Sequence, residues 1–333
     1  MWLLLLLLLG EAWSQSELPA DTDVNELRGY HKREHSLTKP YQGSGLDVPF
    51  WDFIGSTMVT STHIQLTPDA QSRQGAIWNR QPVRSRDWEV VLSFRVKGST
   101  GDLYGDGLAF WYAKETGQLG SVFGSKDMFH GLAVFLDTYS NHNGVHSHGH
   151  PYISAMVSNG SQQYDHDRDG THTQLGGEEK GCEAKFRNKN HDTQVLIRYV
   201  ADTVQVYTDI QNTNRWSLCF SVGGVRLPAG YFIGVSAATG DLSDAHDVIG
   251  VRFYELDVAR AEKPGEDNRY DFEPEAAFQS APRDHVHDPK PSKLGGFGTF
   301  FLYLLGLVAI VGFVYIGIVV LQKRQESSRK RFY

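Results

Sequence analysis

Sulfur is scarce in this sequence: Cys182 and Cys219 are the only cysteines among 333 residues. That excludes a disulfide-dense scaffold and a cysteine-built metal cluster. An even pair with none left over predicts one disulfide in an oxidising compartment; two buried thiols are the alternative. Helical periodicity is missing too, since no stretch before residue 297 repeats its apolar positions at the helical period. No internal repeat is present, which excludes a solenoid or a propeller. Outside the C-terminus basic residues are outnumbered by acids. Residues 322–333 carry five basic groups against Glu326, a net of +4, so the rest of the chain stands at -11 within a total of -7. So acidic a body argues against nucleic acid and anionic lipid as its partners.

Two segments lack charge altogether. Leucine runs unbroken from Leu3 to Leu9, with small residues following at Ala12 and Ser14. The run is too short to span a bilayer and has the length of a signal-peptide core, so residues 1–14 are expected to be a cleaved signal peptide. Residues 297–321 are also uncharged. As a helix they would reach about 37 Å, enough to cross a hydrocarbon core of about 30 Å with some tilt. Lys323, Arg324, Arg329, Lys330 and Arg331 follow at once, and cationic flanks stay cytosolic. A single-pass type I protein is expected, with a transmembrane helix at 297–321, a cytosolic tail at 322–333 and everything before translocated.

What the remainder does contain is short Val-, Ile-, Phe- and Tyr-rich runs bounded by Gly, Asn, Asp or Pro. They fall at 89–96, 107–112, 132–136, 152–157, 193–199, 203–209, 231–237 and 248–256. This pattern predicts an all-β sandwich over about 30–258. From 259 to 294 prolines are scattered among charges with few large apolar groups, the texture of a luminal stalk with no core of its own. Asn159-Gly160-Ser161 is a glycosylation sequon, which points to a luminal surface turn.

One set of oxygens draws attention. The run at 132–136 leads into Asp137-Thr138-Tyr139-Ser140-Asn141, and Tyr164-Asp165-His166-Asp167-Arg168-Asp169-Gly170 offers further acids in a turn. Calcium takes six to eight oxygens from carboxylates, amides, carbonyls and water. Asp137, Asn141, the carbonyl of Tyr139 and an acid of the second turn would suit it; surface acids in turns are the alternative.

Larger motifs carry a resemblance. In order they are Lys32-Arg33-Glu34-His35-Ser36-Leu37 with Lys39-Pro40-Tyr41, Ala76-Ile77-Trp78-Asn79, Gly105-Asp106-Gly107, Phe123-Gly124-Ser125, Phe135-Leu136-Asp137-Thr138-Tyr139, Pro151-Tyr152-Ile153-Ser154, Tyr164-Asp165-His166, Gly230-Tyr231 and Thr239-Gly240-Asp241-Leu242-Ser243-Asp244. Together they resemble the L-type lectins of the animal secretory pathway, the vesicular integral-membrane lectins of high-mannose glycans above all. The resemblance implies a concanavalin-like β-sandwich (jelly roll) and a calcium ion held by Asp137, Tyr139, Asn141 and Asp169. It implies a carbohydrate site of Ser72, Asp106, Tyr139, Asn141, His166, Gly240, Asp241 and Leu242. Asp106 would accept hydrogen bonds from two sugar hydroxyls, and its flanking glycines would let the ring approach closely. The implied function is sorting, export or quality control of glycoprotein cargo between endoplasmic reticulum, intermediate compartment and Golgi. In the tail, Phe332-Tyr333 would bind vesicle coat components, and Arg329-Lys330-Arg331 would act in retrieval or merely set topology.

Three features depart from the pattern. Ser140 stands where the family has proline, which is expected to loosen the calcium loop. His142, His146, His148 and His150 crowd the next stretch, suiting either a transition-metal site or a polar loop. The segment 176–181 is longer than expected. Two rival functions remain. A protein-binding receptor or adhesion module would keep the sandwich without the sugar site. A glycoside hydrolase would need paired acids, for which Glu255-Leu256-Asp257 is the nearby candidate, with Ala259 where a third acid would sit.

Overall fold

In the computed structural model, described over residues 29–42, 47–101, 104–141, 148–258, 269–277 and 296–329, the apolar runs pair into two antiparallel sheets. One runs, edge to edge, Cys182–Glu183, Tyr152–Asn159, His130–Asp137, Gly107–Ala113, Phe232–Ala238, Gln74–Asn79 and Trp51–Gly55. The other runs Ser217–Gly223, Thr203–Asp209, Thr193–Val200, Trp88–Lys97, Ala245–Leu256, Ile64–Thr67 and Met58–Val59, and Gly29–His31 also pairs with Ala245–Leu256. The expected sandwich is thus present, and each of the eight expected runs is a strand. The signal segment 1–14, most of the stalk and residues 330–333 lie outside the described residues.

Alternation along the central strands explains the layers. In Gly107–Ala113, the side chains of Leu108, Phe110 and Tyr112 join Val90, Leu92 and Phe94 of the other sheet in the main core. Ala109, Trp111 and Ala113 point the opposite way and are buried as well, under Val122, Phe123, Phe129 and Tyr164. Trp111 meets Phe129 edge-on at 5.0 Å between ring centroids. This sheet is therefore buried on both faces, which is why its strands read as continuous apolar runs. The segments roofing the second face also line the candidate site.

Within the expected stalk, residues 269–277 return to the sandwich. Glu275–Ala276 pairs with Val225–Arg226, and the Arg269 guanidinium lies 3.3 Å from Asp202. The segment 176–181 folds back on Gln174, whose amide donates to the carbonyls of Gly177 and Lys180. Asn159 is exposed, as a sequon turn requires. As a separate unit, Gly296–Arg329 forms one helix whose stretch Phe300–Gln325 has a mean hydropathy of 2.9, long and apolar enough to cross a membrane.

Cys182 and Cys219 form the expected disulfide, joining an edge strand of one sheet to an edge strand of the other. It closes a loop across a sequence separation of 37. A loop of that length removes about 4 kcal/mol of unfolded-state freedom in the chain-entropy account. C182A/C219A is therefore expected to lower stability by up to about 4 kcal/mol, read from the denaturant midpoint of tryptophan fluorescence.

Candidate functional site

The register between Gly107–Ala113 and His130–Asp137 places Gly107 opposite Asp137. Asp106 therefore emerges just beyond the paired ladder, beside Asp137. Its backbone is held on three counts: its N–H donates to the Ala238 carbonyl, and its own carbonyl accepts from the Thr138 N–H and hydroxyl, both at 2.9 Å. The Gly105–Asp106 peptide bond is cis. Both neighbouring glycines are required by the protein itself. A Cβ on Gly107, at φ 144°, would stand 2.5 Å from the Leu136 carbonyl oxygen, and one on Gly105 would press on Tyr139 at 3.1 Å. The expectation that these glycines make room for a ring is thus sharpened: they let the chain pass close to its own strand. Gly240 is the glycine facing the carboxylate, since a Cβ there would lie 3.3 Å from both Asp106 oxygens.

Asp137 and Asp169 are the electrostatic centre. They are 5% and 4% exposed. Asp137 Oδ1 accepts the Tyr139 N–H at 3.0 Å, and Asp169 Oδ1 accepts the Asn141 N–H at 2.7 Å. Ser140 thus sits between two residues whose N–H groups are held by the buried acids. Asp169 itself adopts the left-handed conformation, φ 51°, at the end of the short turn His166–Arg168. The Oδ2 oxygens face a side chain that the calcium pattern does not include: His150 Nε2 lies 3.8 Å from Asp137 and 3.9 Å from Asp169. Burial holds the Asp137 carboxyl above its ordinary range. Burial also opposes charge on His150, but the facing Asp137 and Asp169 outweigh it and raise the imidazole.

These donors fit calcium. Two carboxylates, the Asn141 amide and the Tyr139 carbonyl are hard oxygens. Two ionised acids buried this close together, with one imidazole between them, are costly without further positive charge. Asp106 shares the burden. Burial, then the charges of Asp137 and Asp241, push its carboxyl up to about 6.

Asp106, Asp137, Tyr139, Asn141 and His166 line one cleft of about 150 Å³, with Ser121, Phe123, Tyr164 and Ala238. His166 packs edge-on against Tyr164 at 4.7 Å, and burial lowers its pKa. Its Nε2 is buried and has no hydrogen-bond partner among the described residues. Gly240 joins the cleft through its approach to Asp106. Asp241 is exposed and Leu242 half-buried beside it. Ser72 stands apart, in a neighbouring hollow with Arg73, Gln74 and Thr239, but its N–H donates to the Gly240 carbonyl and ties the two together. Sequence reasoning gave Phe123 and Tyr164 no role. Their signal was an aromatic residue within each quoted motif, which looks the same as core packing.

With this geometry in view, known proteins fall into place. Residues 28–263 match the legume-like lectin family. The chain is 46% identical over 339 residues to the vesicular integral-membrane protein VIP36 of Homo sapiens, covering 99% of this chain and 91% of that one. It is 46% identical over 333 residues to the VIP36-like protein of Homo sapiens, covering 99% and 92%. The crystal structure of the VIP36 exoplasmic/lumenal domain in its Ca2+/Man-bound form matches with a TM-score of 0.70 at 47% identity, over 76% of this chain and 100% of that one. The chain belongs to the legume-like lectin family.

Proposed function

We propose that the protein is a calcium-dependent lectin that binds high-mannose N-glycans on glycoprotein cargo and acts in sorting, export or quality control in the early secretory pathway. The observation that carries this reading is the Asp106 cleft: a partly desolvated carboxylate, backed by two buried acids and faced by a glycine and a buried imidazole. VIP36, similar along almost the whole chain, has been solved in Ca2+/Man- and Ca2+/Man3GlcNAc-bound forms. Asp137, Asp169, Asn141 and the Tyr139 carbonyl would hold the calcium, whose positive charge supplies what the buried acids lack. The Asp106 carboxylate accepts hydrogen bonds from sugar hydroxyls, and His166 Nε2 completes them from the facing wall. Gly240 leaves the carboxylate accessible, while Ser72, Asp241 and Leu242 form the outer rim. A cleft of this size takes one sugar ring, so retention of cargo would draw on several glycans or on clustering in the membrane.

The protein is a carbohydrate-binding member of a lectin family, and we read it as non-catalytic. The nearby acid pair of the hydrolase reading lies at the end of the other sheet, where Glu255 is paired with Lys32 at 2.5 Å. On this reading the apolar helix would anchor the protein in endoplasmic reticulum, intermediate-compartment and Golgi membranes, with the sandwich luminal and the basic tail in the cytosol. There the terminal Phe332-Tyr333 would recruit coat components, and Arg329-Lys330-Arg331 would aid retrieval. F332A/Y333A is expected to leave the protein in the endoplasmic reticulum, as seen by fluorescence microscopy; an unchanged distribution counts against the tail reading.

Mannose-column retention of the detergent-solubilised chain is expected to need calcium and to vanish with EDTA. D106A removes an acceptor of charged hydrogen bonds worth about 1.5–3 kcal/mol each, so affinity should drop at least about 10-fold. Full binding after chelation, or by D106A, defeats the assignment. The pH dependence follows from Asp106. A carboxyl raised to about 6 is ionised, and able to accept, above that value, and loses its charge as pH falls through it. Binding should therefore fade on acidification through about pH 6, and calcium should move the fade to lower pH because a nearby cation favours the ionised form. Burial lowers His166, so its imidazole stays neutral to a lower pH than a free one would. A calorimetric pH series at two calcium concentrations measures this.

A further inference from the structure

We infer that the chain carries a second cation site, built of nitrogen as well as oxygen, that binds a first-row transition dication such as zinc. Its ligands are His148, His150 and Asp169. One nitrogen of each imidazole and one Asp169 oxygen lie within 4.8 Å of one another. His150 is 5% exposed in its side chain, and neither of its ring nitrogens has a hydrogen-bond partner among the described residues. At 3.8 and 3.9 Å from two carboxylate oxygens, its Nε2 is too distant for a hydrogen bond. That spacing suits donors around one ion. Zinc bonds of about 2.0–2.2 Å put neighbouring ligand atoms roughly 3–3.5 Å apart, so the donors would draw together by up to about 1.5 Å, through side-chain rotation, on binding.

The second imidazole is already oriented. The His148 ring stacks on Tyr152 at 3.5 Å between centroids and 15° between planes, and it lies 4.8 Å from the His150 ring. Two histidines and a carboxylate are a zinc-type donor set with a position left for Asp137 or water. Calcium, which takes oxygens, makes no use of the imidazoles. The two edges of each carboxylate have different neighbours. The Oδ1 edges of Asp137 and Asp169 take the N–H groups of the 139–141 loop, and the Oδ2 edges turn to His150. The site stands on this geometry alone and survives failure of the sugar reading.

The test uses the full chain in detergent, stripped of metal and dialysed against micromolar zinc in saturating calcium, with metal content read by mass spectrometry. One zinc per chain is expected for the unaltered protein and for H142A/H146A, and less than a tenth as much for H148A/H150A, whose folding is checked by tryptophan fluorescence. No retained zinc, its displacement by calcium, or equal retention by H148A/H150A overturns the inference. Should that variant fail to fold, cobalt(II) is loaded into the unaltered chain alone. X-ray absorption showing two imidazoles on the cobalt supports the site, and an oxygen-only shell overturns it.

Discussion

Two carboxylates that cannot comfortably share a buried space organise this molecule. Asp137 ends one strand and Asp169 ends a turn, and the fold removes both from water. Neighbouring like charges in a poorly solvated site destabilise one another by far more than they would in water. The surroundings all answer that problem. Backbone N–H groups of Tyr139 and Asn141 donate to one edge, and an imidazole faces the other. A cation is the remaining remedy, and the loop that a cation would use is held in place by the same hydrogen bonds.

Sheet register then carries the constraint to the binding surface. Because Gly107 pairs with Asp137, Asp106 must stand next to the acid centre. A slip of one residue would turn every side chain of Gly107–Ala113 to the opposite face, exchanging Trp111 for Phe110 in the main core. Both faces are filled with large side chains, so the register is fixed with little latitude. The packing that stabilises the sandwich is thus also what positions Asp106.

The central strands were legible because each is either apolar on both faces, as in Gly107–Ala113, or alternates apolar and polar residues, as in Trp88–Lys97, and sequence pattern alone finds such runs. The strands it missed are of other kinds. Ile64–Thr67 is four residues long, Gln74–Asn79 contains a glycine and two amides, and Trp51–Gly55 and Ser217–Gly223 are edges with exposed residues. Their pairing partners, distant in sequence, make them strands. In the site, the oxygens of Asp137 and Asn141 were visible as a spacing, but that spacing is also ordinary in turns. Asp106, between two glycines, has nothing beside it in the sequence that marks it from an ordinary turn, and only the wider resemblance singled it out. The part taken by His150 was not legible in this form. Its loop showed histidines at alternate positions, yet nothing local says that the last of them is inserted between two acids. Residues 269–277 likewise read as stalk, because a segment with few apolar groups gives no sign that it will add a strand to Val225–Arg226.

If Asp106 binds the sugar as proposed, its raised carboxyl would link the cation to the sugar. Asp137 and Asp241 are two of the charges that raise it, so positive charge placed on Asp137 returns Asp106 toward its ionised, accepting form. Whatever free energy a cation adds to sugar binding by this route, sugar must return to cation binding, because linkage between two equilibria is reciprocal. No moving part is needed for the coupling. Asp106 is fixed by Ala238 and Thr138, Asp137 by its place at the strand end, and both line the same cleft. The fold keeps three acids closer than they would choose, and on the proposed assignment cation binding and sugar binding would be parts of one equilibrium.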